Sequence, residues 1–400
     1  MPDPETDPTT GPIAAAVGSV MAEAWVELGY TAPNTDVYPW LWLWDSCFHA
    51  LIWADLDQPD RAISELCRTL ETQDGAGFVP HMGYQLDPEV SVELWGRRGS
   101  SSITQPPMYG HAIAELMRRG VTVDDELIDR AQTGLRFLLE QRARDTDSGL
   151  LTVVHPWETG CDDSPRWDHY CPGDGFDLAV WRRHKVDLLA SVDRGEHGEP
   201  LANPAFAAAP VSFSAITAWN TFELAAVTGD ASLVPAAREL SEALAGAWDG
   251  ELRTWIDQGP GRATSGRVRT ADALTALLVV DEAVQRSAVV DSLRERAAFG
   301  GAFGPPGVHP DEPMYDPASY WRGPVWPQLA YLLWKALGRG PVETEVGELL
   351  RGRTIDGAVR SGFAEYWSAE SASPGGAVPQ SWTGLALVLA KTRTISPSSG

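Results

Sequence analysis

Cysteine and basic residues are the scarce components of this chain. Four cysteines in 400 residues do not make a disulfide framework of the kind that staples small secreted domains. Lys and Arg total 31 against 55 Asp and Glu, so the formal net charge is −24. We therefore expect no nucleic-acid partner and no membrane partner, because phosphate backbones and anionic lipids both attract basic surfaces.

Long apolar runs and targeting segments are absent as well. No apolar run reaches the length that spans a bilayer. The first residues, Met1 to Pro8, are acidic and rich in proline, and they lack the basic and apolar regions of a signal peptide. These features predict a cytoplasmic protein with a disordered tail over 1–11, a single domain over 12–393 and a flexible tail over 394–400.

Histidine and cysteine form no metal-binding motif. The eight histidines include no HExxH run. Cys161, His169 and Cys171 are close in sequence, but nothing completes the four ligands of a structural zinc site. We expect neither a metal nor another cofactor.

Tryptophan, in contrast, is abundant. The chain has 17 Trp against 9 Tyr and 10 Phe. An indole is costly to bury fully because its N–H needs a partner. The excess favours a large cavity lined by aromatic side chains, and additional core tryptophans are the alternative.

Apolar residues recur at helical spacing along the chain and predict about thirteen helices, with few strands. The predicted helices span 13–28, 45–56, 59–73, 107–118, 125–142, 174–189, 212–227, 231–248, 271–280, 285–298, 327–337, 343–362 and 381–391. No repeat and no change of composition divides the chain. We expect an all-α fold, an (α/α)6 barrel with long loops that roof an active-site cavity; two stacked helical domains are the alternative.

The first aromatic cluster runs from Tyr38 to His49. Trp40, Trp42 and Trp44 alternate, so an extended segment would place all three on one face. Asp45 follows them at the start of a predicted helix. It is either a helix N-cap or a carboxylate that accepts hydrogen bonds from sugar hydroxyls beside an aromatic platform.

The densest polar segment runs from His155 to Asp168. Glycoside hydrolysis needs two carboxyl groups across the scissile bond, one protonated and one ionised. Glu158, Asp162 and Asp163 are crowded between Trp157 and Trp167, which favours a carboxyl group with a raised pKa. The alternative is an ordinary acidic loop.

Two further motifs lie near the C-terminus. Residues 320–328 place two tryptophans and an arginine around Gly-Pro just before a predicted helix. In Phe363-Ala364-Glu365-Tyr366-Trp367, Glu365 stands among three aromatic residues. It is a candidate general base, with a surface glutamate after a helix end as the alternative.

Taken together, these segments resemble glycoside hydrolase family 63 and the related trehalases. Residues 158–167 are similar to the E-S-G-x-D-x-S-x-R-W motif, which implies that Asp162 is the general acid. Residues 363–366 are similar to F-x-E-Y, which implies that Glu365 is the general base. Residues 44–46 match W-D-S, the motif that holds the sugar in the −1 subsite, and residues 320–327 match Y-W-R-G-P-V-W-P, whose tryptophans line the same pocket.

Within that family the likeness is closest to bacterial glucosylglycerate hydrolases, with mannosylglycerate hydrolases next. Residues 101–110 and 304–310 carry this finer likeness, which spans about 38–389. Thr159-Gly160-Cys161 departs from the usual Ser-Gly followed by a bulkier residue. The resemblance implies hydrolysis of an α-glycosidic bond with inversion, for which the two carboxyl groups lie about 6.5–9.5 Å apart.

The resemblance and the residue chemistry together define the predicted substrate site. Its predicted substrate-binding residues are Tyr38, Trp40, Trp42, Trp44, Asp45, Gln105, Tyr109, Trp157, Trp321, Arg322, Gly323, Trp326, Tyr366, Gln380 and Trp382. Arg166 and Arg322 are candidate charge partners for an anionic glycerate, although Arg322 could instead pair with a nearby carboxylate. The loop over 96–105 is either a lid or a mobile surface loop.

Several alternatives stay open at this point. The substrate is glucosylglycerate, or else mannosylglycerate or another α-glucoside of the trehalase type. An (α/α)6-barrel sugar epimerase would need proton-transfer histidines facing the barrel centre. A non-catalytic carbohydrate-binding protein would keep the tryptophans without both acids. The partner is a small glycoside, and the protein is a monomer or a homo-oligomer.

Overall fold

The computed structural model describes residues 10–259 and 267–391. Within them the chain forms thirteen α-helices: α1 (Thr10–Ala24), α2 (Leu43–Asp55), α3 (Pro59–Glu71), α4 (Val90–Trp95), α5 (Tyr109–Arg118), α6 (Asp125–Glu140), α7 (Leu178–Leu188), α8 (Val211–Thr228), α9 (Val234–Gly246), α10 (Ala283–Arg294), α11 (Pro327–Ala336), α12 (Pro341–Arg360) and α13 (Leu385–Lys391).

Shorter elements join these helices. Five 3-10 helices span Pro156–Thr159, Pro165–Tyr170, Leu189–Ser191, Ala273–Leu278 and Ser381–Gly384. The strands are β1 (Trp25–Val26), β2 (Tyr30–Thr31), β3 (Leu41–Trp42), β4 (Met82–Gly83), β5 (Asp193–Arg194), β6 (Pro200–Ala202), β7 (Trp248–Asp249), β8 (Thr254–Trp255), β9 (Tyr366–Trp367) and β10 (Pro374–Gly375). They form two-stranded antiparallel pairs in sequence order, β1 with β2 through β9 with β10.

Six elements close into an inner ring. Helices α2, α5 and α8, the 3-10 helix Ala273–Leu278, and helices α11 and α13 each pack against the next, and α13 packs back against α2. Every residue of α2 from Leu43 to Trp53 is buried, as is every residue of the 3-10 helix. A helix without a polar face must be enclosed by other elements, which is why these elements line the centre.

The remaining long helices form an outer ring. Helices α1, α3, α6, α9, α10 and α12 each pack on the outside of the inner elements. Helix α3 is typical, because it buries Ala62, Leu66 and Leu70 on one face and leaves the other face polar. The chain thus alternates between outer and inner helices, and the predicted (α/α)6 barrel is confirmed.

One end of the barrel gathers the segments that precede the inner helices. The residues before α5, α11 and α13 are three of these segments, and Asp45 lies in the first turn of α2. The pairing of β3 with β4 ties the aromatic segment to the loop that follows α3. Motifs that are far apart in sequence therefore converge at this end.

The structure also corrects several boundaries. Helix α1 already includes Thr10 and Gly11, which were predicted to belong to the tail; the rest of that tail and all of 394–400 lie outside the described residues. The predicted helix 271–280 is a 3-10 helix, and α4 was not predicted. Among the described residues, no helix is both long and apolar enough to cross a bilayer.

Candidate active site

A cavity of about 640 Å³ opens at the end of the barrel where the inner helices begin. Its wall contains both predicted catalytic acids and ten of the predicted substrate-binding residues. These lining residues are Asp162, Glu365, Tyr38, Trp42, Trp44, Asp45, Gln105, Trp157, Trp321, Tyr366, Gln380 and Trp382. The structure therefore brings together motifs that are separated by more than 300 positions in sequence.

Glu365 is held in the cavity by uncharged donors. The backbone N–H of Ala377 donates to its Oε2 at 2.9 Å, and the Tyr38 hydroxyl donates to its Oε1 at 3.3 Å. Burial raises the pKa of Glu365 to about 7, against the hydrogen bonds that favour the ionised form. Gly376 has a φ of +69° and passes so close to Glu365 that an added Cβ would collide with the carboxylate.

Asp162 has a charged environment instead. Lys185 Nζ donates to Asp162 Oδ2 at 2.9 Å and to Asp163 Oδ1 at 2.6 Å. Burial and the neighbouring Asp162 raise the pKa of Asp163. Burial by itself would lower the pKa of Lys185. The two carboxylates have the larger effect, so the pKa of Lys185 is raised. The two acids and the lysine thus form one cluster of charged side chains.

Asp45 is a cavity residue and not a helix cap. Helix α2 begins at Leu43, with Trp42 in the N-cap position. Asp45 therefore lies in the first turn, where it is 3% exposed and lines the cavity. Burial holds the pKa of this carboxyl well above its usual range, and Glu365 adds to the effect.

Aromatic rings form the walls of the cavity. Trp44 meets Trp382 edge to face at 5.8 Å between ring centroids, and Trp95 meets Trp157 at 5.7 Å. The Nε1 atoms of Trp42 and Trp321 and the Oε1 atom of Gln380 are buried without a partner among the described residues. Since buried polar atoms are normally paired, these atoms of cavity-lining residues are candidate contacts for a polar ligand.

Three predicted aromatic residues stand outside the cavity wall. Trp40 packs on Tyr84 with 4.9 Å between ring centroids. Tyr109 is buried in the core against Gly134. Trp326 is 1% exposed and stacks face to face on Trp321 at 3.5 Å. The alternation of Trp40, Trp42 and Trp44 does not place them on one face, because the extended segment ends at Trp42 and α2 begins at the next residue.

Arg322 and Gly323 are also outside the wall, for structural reasons. Arg322 makes a two-pronged salt bridge to Asp168, at 2.9 and 2.7 Å, which matches the alternative considered for it. Gly323 packs so closely on the backbone of Asp316 that no side chain would fit.

Two other charged residues of the acidic segment are structural. Arg166 is 2% exposed and bridges Asp257 at 3.1 Å and Asp272 at 2.6 Å, so it is not free to bind an anion. Glu158 is fully buried, accepts from Arg142 at 3.0 Å, and also accepts from the backbone N–H of Val154 at 2.8 Å. It anchors the segment and does not face the cavity.

The second half of the predicted lid is packed into the fold, and its last residue, Gln105, lines the cavity. Ser101 through Gln105 are buried, the Ser101 N–H donates to the Met82 carbonyl at 3.0 Å, and the His81 N–H donates to the Ile103 carbonyl at 2.8 Å. This second half of 96–105 is therefore neither a lid nor a mobile surface loop.

Several lining residues were missed by sequence reasoning. They are Pro33, His81, Met82, Tyr84, Leu94, Trp95, Gly160, Arg182, Lys185 and Tyr320. Tyr320 and Gly160 stood inside quoted motifs, and the tryptophan excess was a signal for Trp95. Asp163, which also lines the cavity, was one of the three candidate carboxyl groups of the acidic segment. Nothing in the sequence marks Lys185 or Arg182, because α7 reads as an ordinary polar helix.

One group of described residues has the spacing of a metal site, and it lies outside the cavity wall. It consists of His111, Glu115 and Glu223. His111 uses both ring nitrogens, with Glu223 at 3.0 Å and the Tyr331 hydroxyl at 2.8 Å. Lys335 pairs with Glu115 and Arg118 with Glu223. These cations balance the acids, so the donor set does not fit a metal ion.

Comparison with known proteins gives a consistent result. The family model of the mannosylglycerate hydrolase MGH1-like glycoside hydrolase domain matches residues 38–383. A mannosylglycerate hydrolase of Thermus thermophilus is 27% identical over 91% of this chain and 97% of its own length. A glucosylglycerate hydrolase of Mycolicibacterium hassiacum is 28% identical over 96% of this chain and 98% of its own length.

Solved structures share the fold. The mannosylglycerate hydrolase of Thermus thermophilus, crystallised with Tris and D-glycerate, superposes with a TM-score of 0.77 at 23% identity, covering 96% of this chain and all of its own. A neutral trehalase of Saccharomyces cerevisiae gives a TM-score of 0.59 at 16% identity, covering 90% of this chain and 72% of its own. The resemblance found in the sequence motifs is confirmed: the chain belongs to the MGH1-like glycoside hydrolases of family 63 and is a glycosidase.

Proposed function

We propose that this glycosidase hydrolyses 2-O-α-D-glucosyl-D-glycerate to glucose and glycerate with inversion. The observation that carries the proposal is the pair Asp162 and Glu365 on the wall of one cavity, in contrasting environments. Glycosidases that invert use two carboxyl groups, one as acid and one as base, on opposite sides of the sugar.

Asp162 is the general acid and Glu365 the general base in this proposal. Asp162 gives its proton to the glycosidic oxygen as the bond to C1 breaks. Glu365 takes a proton from a water molecule whose oxygen bonds to C1 on the opposite face. A pKa of about 7 for Glu365 suits a base that works near neutral pH.

The sugar is bound by Asp45 and the surrounding aromatic rings. Trp44 and Trp382 offer apolar faces, and the unpaired Nε1 of Trp42 and Oε1 of Gln380 offer hydrogen bonds to hydroxyl groups. Within the part of the chain that the structure describes, His81 is the one histidine on the cavity wall, and burial lowers its pKa to about 3. This argues against an epimerase, which would depend on proton-transfer histidines.

Arg182 is our candidate for binding the glycerate carboxylate. It lines the cavity, it is exposed, and no salt bridge within the described residues occupies it. A guanidinium matches the geometry of a carboxylate. We expect Arg182→Gln to raise KM for glucosylglycerate about 10- to 100-fold, since a hydrogen bond to a charged group contributes about 1.5–3 kcal/mol. An unchanged KM would contradict this role.

Proton NMR of the reaction tests the proposal directly. The protein is mixed in parallel with glucosylglycerate, mannosylglycerate and trehalose. We expect glucosylglycerate to be cleaved first and β-glucose to appear before mutarotation. Initial release of α-glucose would refute inversion, and no cleavage of any of the three would refute the substrate assignment.

Mannosylglycerate is the second candidate substrate. The match to a family model described by mannosylglycerate hydrolase favours it. The two sugars differ only in the orientation of the hydroxyl at C2, so the same parallel NMR experiment separates them through their relative kcat/KM.

We place the reaction in the cytoplasm. All four cysteines, Cys47, Cys67, Cys161 and Cys171, are unpaired, which suits a reducing compartment. Export of the protein in a cell-fractionation experiment would contradict this placement.

A further inference from the structure

Lys185 lies between two adjacent carboxylates on the acid side of the cavity. It contacts Asp162 at 2.9 Å and Asp163 at 2.6 Å. The side chains of Lys185 and Asp163 are 4% and 6% exposed, and that of Asp162 is 18% exposed. Two carboxylates and one ammonium group carry a net charge of one negative unit, so the three side chains together can take up one proton.

Helix α7 holds the ammonium group of Lys185 in place. The indole Nε1 of Trp181 donates to the Asp162 carbonyl at 3.1 Å, and His155 Nε2 donates to the Lys185 carbonyl at 2.7 Å. The ammonium also lies 5.6 Å from the centre of the Trp157 ring. The lysine is therefore a built part of the site and not a surface residue that happens to be near.

A cation beside a general acid poses a chemical problem. An opposite charge at hydrogen-bond distance favours the ionised carboxylate, whereas a general acid must begin the reaction protonated. Asp163 offers the ammonium a second, shorter contact and supplies a like charge beside Asp162. Asp163 therefore competes with Asp162 for the ammonium group, and Lys185 is not the partner of Asp162 alone.

Resting on the function proposed above, we propose that Lys185 and Asp163 are positioning residues for the general acid Asp162. In the ground state Asp163 shares the ammonium, so Lys185 does not draw the catalytic proton away from Asp162. When that proton passes to the glycosidic oxygen and the C1–O bond breaks, the electron pair of the O–H bond stays on Asp162. Lys185 then stabilises the new carboxylate, an interaction that is stronger in the transition state than before it and therefore accelerates the reaction.

Other charged or titratable groups also face the trio. They are His155, Arg182, Arg322, Cys161, Tyr38, Tyr320 and Glu365. None of these groups is changed in the variants below, so a change in the pH profile traces to the trio itself.

The first test is the pH profile of Asp163→Asn, which keeps the shape of the side chain. This change removes the negative charge of Asp163, so Asp162 becomes the only carboxylate partner of Lys185. We expect the pKa of Asp162 to fall as a result. We expect the alkaline limb of kcat/KM for glucosylglycerate to move to lower pH by about one unit or more. Asp187→Asn is the matched control, because it removes the same charge from an exposed position of α7 and should leave the profile unchanged. If the alkaline limb of kcat/KM for Asp163→Asn falls at the same pH as that of the wild type, the proposal is overturned.

The second test separates positioning from a merely structural role. Lys185→Met should move the alkaline limb to higher pH and lower kcat for glucosylglycerate about 100-fold, the scale of losing one stabilising donor. Lys185→Arg should restore most of kcat. With α-glucosyl fluoride, whose leaving group needs little protonation, the loss in Lys185→Met should be at least tenfold smaller by our proposal. Equal losses on both substrates would overturn it.

A measurement without turnover keeps this proposal distinct from the proposed function. Carbon-13 NMR titration of labelled Asp side chains in the wild type and in Asp163→Asn reports the protonation of Asp162 directly. If the wild type cleaves none of the glycosides, the proposed function fails, and a shifted titration in Asp163→Asn still supports the coupling. If the titration of Asp162 does not shift in Asp163→Asn, the proposed interaction between Asp162 and Asp163 is refuted even where the enzyme is active. Because this measurement does not use Lys185→Met, it also tests the proposal if that variant does not fold.

Discussion

The two sides of the cavity hold their carboxylates by different means. On the acid side, residues 155–185 surround Asp162 with charge, through Lys185 and Asp163. On the base side, formed by residues 363–380 together with Tyr38, the donors to Glu365 are neutral: the Tyr38 hydroxyl and the Ala377 N–H. Two carboxyl groups of the same kind thus have different electrostatic environments, since burial and a neighbouring carboxylate raise the pKa of a carboxyl group whereas a neighbouring cation lowers it.

The sharpest test of this comparison removes each carboxyl in turn. We expect Glu365→Gln and Asp162→Asn each to lower kcat for glucosylglycerate by about 10²–10⁴-fold. With α-glucosyl fluoride, Asp162→Asn should recover most of its activity, because the leaving group needs no acid, whereas Glu365→Gln should not recover. Circular dichroism must show that both variants are folded. Recovery of Glu365→Gln alone would reverse the two assignments.

The acid side also contains an ion pair that serves the fold alone. Arg142→Met leaves Glu158 as an unpaired buried charge, and we expect it to reduce the free energy of unfolding by about 3–5 kcal/mol. Denaturant titration measures this loss. Arg98→Gln is the control, because its partner Glu89 and Arg98 are both 68% exposed, and such a pair contributes about 0–1 kcal/mol. Equal losses in the two variants would mean that Glu158 does not depend on Arg142.

On the base side, the close approach of Gly376 should matter more than its backbone conformation. Gly376→Ala forces Glu365 to move, and misplacement by about 1 Å costs about 100-fold in rate. We therefore expect kcat to fall about 10- to 100-fold. Gly173→Ala on the acid side has a similar positive φ, +103°, with open space around it, and should retain kcat. A comparable loss in Gly173→Ala would point to backbone strain as the cause.

The smallest expected effect concerns the hydroxyl of Tyr38. Its hydrogen bond to Glu365 favours the ionised base, so Tyr38→Phe should raise the pKa of Glu365 above its value of about 7. A base must be ionised to act, so the acidic limb of kcat/KM should move to higher pH. At pH 6 we expect a loss of about fivefold, the factor that corresponds to about 1 kcal/mol for one hydrogen bond. A shift of the acidic limb to lower pH would contradict the geometry at Oε1.

The local sequence pattern predicted most of the helices of the fold. Outer helices bury one apolar face, which appears in the sequence as apolar residues at helical spacing. Inner helices are buried on all sides, which appears as a mostly apolar segment. The sequence pattern misjudged the segment 271–280, where a fully apolar run is compatible with a 3-10 helix as well as an α-helix. It also missed α4, which is only six residues long and too short to show a period.

Sequence motifs predicted some of the residues that line the cavity, but they did not predict which motif residues point away from it. Motif residues such as Trp44, Asp45 and Gln380 line the cavity, whereas Trp326 and Arg322 stand behind it. A motif shows which residues belong to one local structure, but not which of them faces inward. That direction depends on turns, such as the one at Trp42 and Leu43, where a strand passes directly into a helix.

The sequence by itself determined the class of fold and the aromatic character of the cavity, because these depend on residue type and local spacing. It offered the two carboxyl candidates through the resemblance of its motifs to a known family. Only the tertiary structure decided which acid has a cation beside it. Lys185 comes from a helix that is about 20 residues away from Asp162 in sequence, and it meets Asp162 through the packing of Trp181 and His155. Electrostatic environment is a property of neighbours in space, and it is set when distant segments pack together.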